Sequence, residues 1–245
     1  MIIAIDGLDG SGKESLTNKL RDAIIAQGIR NEDAVIVHSF PDYNNSTGKQ
    51  IKKILSGESF KEMPPHIRRF MTASLFAYNR AEHVLNTKTE YGTGIFNTES
   101  VIHIFDRYWA SNILYQGLGK TGMALETFAQ LMRGMEIALG NPMPIVYYFL
   151  RHPYSVLWKR IHNRKSKSVE NDIYEADDFQ KAVYHLSEYY LEVINPTEAT
   201  YDKVIEGCNS VMRSELGEIY YEKSVETLAD EIIADLRERK LIATI

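Results

Sequence analysis

The chain has 245 residues, 44% of them hydrophobic, enough for one large α/β domain or two small ones around a sizeable core. Its net charge of -5, without a long basic run, speaks against polymeric nucleic acid or a membrane surface as partner, and leaves room for a small anionic ligand held by a local cluster of positive charge. The single cysteine, Cys208, excludes an internal disulfide framework and a paired-cysteine zinc site, no run approaches a membrane span, and Asp6 interrupts the apolar start too early for a signal segment, so a soluble cytoplasmic protein is expected.

Residues 2–5 are an apolar run with Ile at three of four positions. Glycines follow, then an amphipathic stretch from Lys13 to Gln27 that ends at Gly28: strand, turn, helix. Ala34 to His38 is a second strand. Ser46 to Leu55 and Pro64 to Asn86 read as helices, the second opened by Pro64-Pro65. Val101 to Phe105 is a third strand ending at Asp106, and Ile145 to Leu150 a fourth ending at Arg151, with helix-like sequence from Ser111 to Leu139 between them.

Helix continues from Tyr154 to Asn163. Residues 164–175 are polar and charged without an apolar period and read as a mobile loop, the core of a lid at about 162–175. Asp177 to Val193 is helical, Lys203 to Glu206 a short last strand of the series, and Val225 to Arg239 a closing helix. Residues 210–224 read either as a loop or as a short added hairpin. Strands alternating with helices predict a parallel sheet sandwiched between helices, in one domain spanning 1–245 with an unassigned extension at about 210–245.

The first turn carries the clearest chemistry. Gly7-Leu8-Asp9-Gly10-Ser11-Gly12-Lys13 fits the spacing of a phosphate-binding loop between a buried strand and a helix. Gly7, Gly10 and Gly12 let backbone amides converge on phosphate oxygens at a helix N-terminus, and Lys13 adds a mobile cation near a transferring phosphoryl group. Asp9, Ser11 and Ser15 complete the expected phosphate-side set. Glu14 stands where a Ser or Thr hydroxyl would ligate Mg²⁺. Either it faces solvent and leaves the metal to phosphates and water, or it becomes a direct ligand.

Three further blocks follow in order: Phe40-Pro41-Asp42-Tyr43, Leu75-Phe76-Ala77-Tyr78-Asn79-Arg80-Ala81-Glu82-His83, and Asp106-Arg107-Tyr108-Trp109-Ala110-Ser111-Asn112-Ile113-Leu114-Tyr115-Gln116-Gly117. Together with the phosphate loop they resemble the thymidylate kinases, P-loop nucleoside-monophosphate kinases, over about residues 1–206. The Asp-Arg-Tyr block is the most specific part. The resemblance implies a three-layer α/β/α sandwich with a lid, ATP and dTMP as substrates, Mg²⁺ as cofactor and a homodimer.

Asp106 and Arg107 lie just past a strand end, where parallel α/β sheets bind ligands. Arg107 can fork onto a phosphate, and Asp106 can position a metal-bound water or the acceptor phosphate; the plain alternative is a structural ion pair. Phe76 and Arg80, four apart on a helix, share a face. A Phe at this spacing serves a core as readily as a base; the resemblance implies that Phe76 stacks on thymine while Arg80 donates to the base carbonyl at position 4. It further implies that Asn112 reads the N3–H edge, that Tyr115 lies near the sugar 2′ position and that Asp9 meets the 3′ hydroxyl, with Phe40 and Ser111 beside them.

Two departures stand out. The Phe40–Tyr43 segment lacks the Arg that often holds the acceptor phosphate, leaving Tyr43 as its hydrogen-bonding group. Gly10 stands where some members carry a catalytic Arg, so the resemblance assigns that cation to the lid, as Arg164 or Arg160, near Lys165 and Lys167. Two other readings stay open: a kinase for a different or broader set of deoxynucleotides, and a nucleotide-binding protein that has lost catalysis at Glu14. Gly207-Cys208-Asn209 is a place for the donor base.

Overall fold

The computed structural model describes residues 1–92, 95–97, 100–117, 124–165, 176–195, 201–214 and 217–243. Five parallel strands form the central sheet in the order β2-β3-β1-β4-β5: β1 Ile2–Gly7, β2 Val35–Ser39, β3 Ile102–Asp106, β4 Val146–Arg151 and β5 Lys203–Glu206. The chain winds from β1 out to β2, returns through β3 and crosses to β4 on the other side of β1. The winding therefore reverses around β1, whose carboxyl end is the natural ligand crevice.

Alternation along the strands divides the core. Ile3 and Ile5 of β1 face α1 (Lys13–Ala26) and α8 (Val225–Glu238), whose Leu16, Leu20 and Ile24 and whose Leu228, Ile232 and Leu236 recur every fourth residue. Ile2 and Ala4 face the opposite side. There they meet Phe105, Tyr147 and Phe149 and the helices α3 (Pro65–Tyr91), α4 (Ala110–Gln116), α5 (Leu125–Ala138) and α7 (Asp177–Tyr189). Each such Leu or Ile contributes about 1.5–3 kcal/mol by leaving water. The remaining helices, α2 (Ser46–Leu55) and α6 (Tyr154–Lys165), flank the strand ends. Asn45 caps α2 by accepting from Gly48 N at 2.8 Å, and Ser224 caps α8 by accepting from Thr227 N at 3.1 Å.

The sandwich of helices on a parallel sheet is the architecture expected from the sequence. Three details differ. The helix-like stretch 111–139 holds two helices, because α4 stops at Gly117, whose N–H turns back to the Asn112 and Ile113 carbonyls. The helix expected to reach Val193 remains α-helical to Tyr189 and continues as one widened π turn, Tyr190–Ile194. The 210–224 region contains the hairpin alternative: β6 (Cys208–Ser214) pairs antiparallel with β7 (Gly217–Glu222) as a separate two-stranded sheet. Residues 166–175 of the expected lid, Lys167 among them, lie outside the described residues, as does the side chain of Lys165. No described helix is long and apolar enough to cross a membrane.

Candidate active site

The β1–α1 turn needs glycine where it enters the helix: Gly12 has φ +88°, a left-handed conformation that a side chain disfavours. That turn places Lys13 in a buried position, its Nζ donating to Leu8 O at 3.4 Å and lying 4.0 Å from Asp9 Oδ1. Burial, joined by the nearby Arg107 charge, lowers the Lys13 pKa to about 8. Glu14 and Ser15 are exposed on the first turn of α1.

At the end of β3, Arg107 also has a left-handed backbone, φ +64°, which costs a non-glycine residue about 1–3 kcal/mol. Its N–H still continues the ladder to Ile5 O at 3.0 Å, so the sheet imposes the turn. The guanidinium ion-pairs with Asp9 Oδ1 and lies 5.6 Å from the ring centre of Tyr115. Asp9 is held from four sides: Arg107 and Lys13, Gln180 Nε2 at 3.0 Å on its other oxygen, and its own N–H donating to the Tyr115 hydroxyl at 2.9 Å. Burial would raise the Asp9 pKa, but the Arg107 and Lys13 charges outweigh it and hold the carboxyl well below its ordinary range.

Two cavities flank this pair. The first, about 610 Å³, is lined by Asp9, Phe40, Tyr43, Phe76, Arg80, Arg107, Ser111, Asn112 and Tyr115, all nine of the residues expected around an acceptor nucleotide. Pro41, Leu55, Tyr108 and Gln116 complete it, residues to which the sequence reading assigned no role. Its mixed aromatic and polar walls suit a small planar ligand with a charged end. Besides the contacts among Asp9, Arg107 and Tyr115, Arg80 ion-pairs with Glu136 through both carboxylate oxygens, Asn112 Nδ2 donates to Ala73 O at 3.3 Å, and Ser111 Oγ donates to Asp6.

The second cavity, about 1130 Å³, is lined by Gly10 to Ser15, Asp106, Arg107, Arg160 and Arg164, with His152, Lys223, Val225 and Leu228. Gly7 and Asp9, expected on this side, lie at the end of β1 and in the first cavity. Arg160 donates to Gly10 O at 3.0 Å and Ser11 O at 2.8 Å and ion-pairs with Glu222 of β7. The hairpin thus reaches the phosphate loop through one arginine. Gly207 to Asn209 do not line the cavity, but Gly207 packs against the ring of His152, which does.

Arg107 is common to both cavities. Beside it Asp106 Oδ1 is buried without a hydrogen-bond partner among the described residues. Burial raises the Asp106 pKa, while Lys13 and Arg107 pull it down. An unpartnered carboxylate oxygen beside Lys13 and Arg107 would fit a divalent cation or its bound water. Among the described residues no group of three or more His, Cys, Asp or Glu converges on one metal position, so the phosphates of a nucleotide would have to supply further ligands.

Of the residues that sequence reading missed, His152 had a signal, since it follows β4 at a strand end. Gln180 and Lys223 had none: they reach the site from helix and hairpin ends far along the chain.

The sequence profile described as Thymidylate kinase matches residues 5–214. A thymidylate kinase of Finegoldia magna is 27% identical over 220 residues, covering 87% of this chain and 98% of the relative. One from Mycobacterium tuberculosis H37Rv is 31% identical over 181 residues, covering 72% and 78%. The crystal structure of a thymidylate kinase from Ehrlichia chaffeensis superposes with a TM-score of 0.55 over 96% of this chain and 98% of that one at 16% identity, a likeness of fold.

Proposed function

This chain belongs to the thymidylate kinase family, and from that membership and the two joined cavities we propose how it transfers the γ-phosphoryl group of ATP to dTMP, giving dTDP and ADP for dTTP synthesis. The observation that carries the mechanism is the position of Arg107, in the wall of both cavities. ATP occupies the cavity over Gly10 to Ser15, with its phosphates on the loop amides and Lys13. dTMP occupies the cavity lined by Phe76, Asn112 and Tyr115. A dTMP phosphate oxygen attacks the γ-phosphorus in line, the bond to the bridging oxygen breaks, and ADP leaves with the negative charge.

The protein supplies position and charge rather than a covalent intermediate. Lys13 and Arg107 neutralise the oxygens of the group in flight. Arg160, already on the carbonyls of Gly10 and Ser11, is a further cation at the loop, with Arg164 one turn on in α6. Asp9 sets the Arg107 fork and meets the sugar. With Nε and one terminal nitrogen of Arg80 taken by Glu136, its other terminal nitrogen is the one to serve the base carbonyl. Asp106 would hold Mg²⁺ through water, and the ion would screen the phosphate charges; exposed Glu14 is the alternative ligand.

We further propose one kinase domain over 1–245, acting in the cytoplasm, where ATP is abundant, as a homodimer. The dimer reading is supported by large apolar side chains exposed on α3 and α5: Tyr78, Leu85, Leu131 and Ile137. The deciding experiment is a coupled assay with ATP, Mg²⁺ and a panel of nucleoside monophosphates. Turnover is expected with dTMP foremost, and with dTMP preference falling in Arg80 and Asn112 variants. Tight ATP binding without turnover of any acceptor would sink the proposal.

A further inference from the structure

On the outer side of the acceptor cavity four titratable side chains are joined end to end. Asp42 Oδ2 lies 2.8 Å from His83 Nδ1, His83 Nε2 lies 2.8 Å from His38 Nδ1, His38 Nε2 lies 3.0 Å from His103 Nδ1, and His103 Nε2 lies 3.1 Å from Ile95 O. The residues come from the turn after β2, from α3, from β2 and from β3. His38 and His103 are buried in the core.

The ends of this chain decide its proton count. Ile95 O can only accept. Asp42 accepts from Asn44 N at 2.9 Å on its other oxygen, and as a carboxylate it too can only accept toward His83. Four links between two acceptors need four protons, one per link. Three neutral imidazoles bring three, so one more proton is required. A chain with three protons sets two lone pairs against each other inside the fold.

We propose that the Asp42–His83–His38–His103 chain carries four protons at neutral pH, the fourth making His83 an imidazolium against Asp42, and that this closed chain holds the turn Phe40–Tyr43 in shape for the acceptor nucleotide. His83 is thus a positioning residue. The turn is otherwise held by Asn79, whose side chain accepts from Asp42 N at 2.8 Å and donates to Asp42 O at 2.9 Å. Phe40, Pro41 and Tyr43 face the acceptor cavity, and the Phe40 ring meets His83 edge-on at 5.1 Å, so tilting His83 moves the cavity wall.

The proton belongs on His83 rather than on the inner rings. Burial, with the neighbouring His83 and His103, lowers the His38 pKa to about 2, and burial lowers that of His103 to about 4. Among the described residues the charged groups around these four side chains are few. Asp42 faces His83 from the turn. The Met1 ammonium, donating to Val101 O at 2.6 Å, adds positive charge near His103. Glu82, beside His83 on α3, is taken up by Ser46 and Thr47 at the start of α2. Among the described residues the rings of Phe40, Phe96 and Phe105 also pack against His38 and His83. Without the fourth proton one link opens, and the turn loosens.

The test is the long-range ¹H–¹⁵N imidazole spectrum of the uniformly ¹⁵N-labelled full chain between pH 6 and 10, alongside the KM for dTMP. At pH 7, His38 and His103 are expected as neutral Nε2–H tautomers and His83 with both nitrogens protonated. A singly protonated His83, or an Nδ1–H tautomer at either inner ring, would overturn the proton count. KM for dTMP is expected to rise about five- to tenfold as the His83 proton is lost, with kcat within about twofold. His83→Asn, which keeps a donor for Asp42, is expected to show the raised KM at every pH. A KM that ignores the loss of the proton overturns the positioning role. That half rests on the kinase reading, whose own failure appears as no turnover in the wild-type chain, while the spectra report the proton count regardless.

Discussion

Arg80 and Glu136, 56 residues apart on α3 and α5, form a fully buried two-point ion pair: Nε donates to one carboxylate oxygen at 3.0 Å and a terminal nitrogen to the other. Asn141 Nδ2 donates to the same carboxylate at 2.7 Å, and Tyr108 lies 5.4 Å from the guanidinium. Burial would lower the Arg80 pKa, but Glu136 outweighs it and raises it. Glu136→Ala leaves a buried charge without its partner and is expected to lower stability by about 3–5 kcal/mol in urea unfolding. The double variant Arg80→Met with Glu136→Met should regain most of that loss while dTMP affinity stays poor. If the single variant lies within about 1 kcal/mol of wild type, the pair does not organise this wall.

Lys13 offers a pH test. Its folded pKa of about 8 lies below the ordinary value of 10.5, so the unfolded chain binds more protons between the two. Stability of the nucleotide-free protein should therefore rise as pH climbs from about 8 toward 10.5. ATP phosphates would restore the charged form, so binding at about pH 8.5 should take up protons, read by calorimetry in buffers of different ionisation enthalpy. Lys13→Ala should abolish the uptake and cut kcat by about 100-fold or more. Uptake that persists in the variant would place the titrating group elsewhere.

Tyr115 receives the Asp9 N–H at 2.9 Å, which orients its hydroxyl in the first cavity. Tyr115→Phe removes that acceptor and is expected to shift the ratio of kcat/KM for dTMP over its ribose counterpart by about three- to tenfold. An unchanged ratio with both substrates would take the hydroxyl out of sugar selection.

Gly207 has no room for a side chain: a Cβ there would stand 2.1 Å from His152 Cε1 and 2.2 Å from Nε2. Gly207→Ala should push His152 into the donor cavity, cost about 1–3 kcal/mol of stability and weaken ATP binding. The dTMP Kd, measured alone, should remain that of wild type. Equal weakening of both nucleotides would mean that the strain spreads beyond the β4–β5 edge.

The local parts of this molecule were legible in the sequence because local chemistry dictates them. Three glycines and a lysine between an apolar run and an amphipathic stretch specify a strand, a turn and a helix, and Asp106-Arg107 sits where a buried run stops. Partners drawn together across the sheet were not legible. Nothing near Arg80 announces Glu136, and the three histidines of one proton chain lie at 38, 83 and 103, each unremarkable alone. The 210–224 region showed no period strong enough to choose between loop and hairpin. Its tie to the phosphate loop, Glu222 on Arg160, depends on a pairing register that only the folded chain supplies.

Arg107 is a shared wall, and a shared wall cannot be adjusted for one tenant alone. With a nucleotide in each cavity, as proposed, any movement of its fork that tightens one would change the free energy of the other. By thermodynamic linkage, the factor by which ATP alters dTMP affinity must equal the factor by which dTMP alters ATP affinity. Selection acting on either substrate's concentration therefore acts on both affinities through one side chain, which its ion pair with Asp9 and its left-handed backbone hold in place.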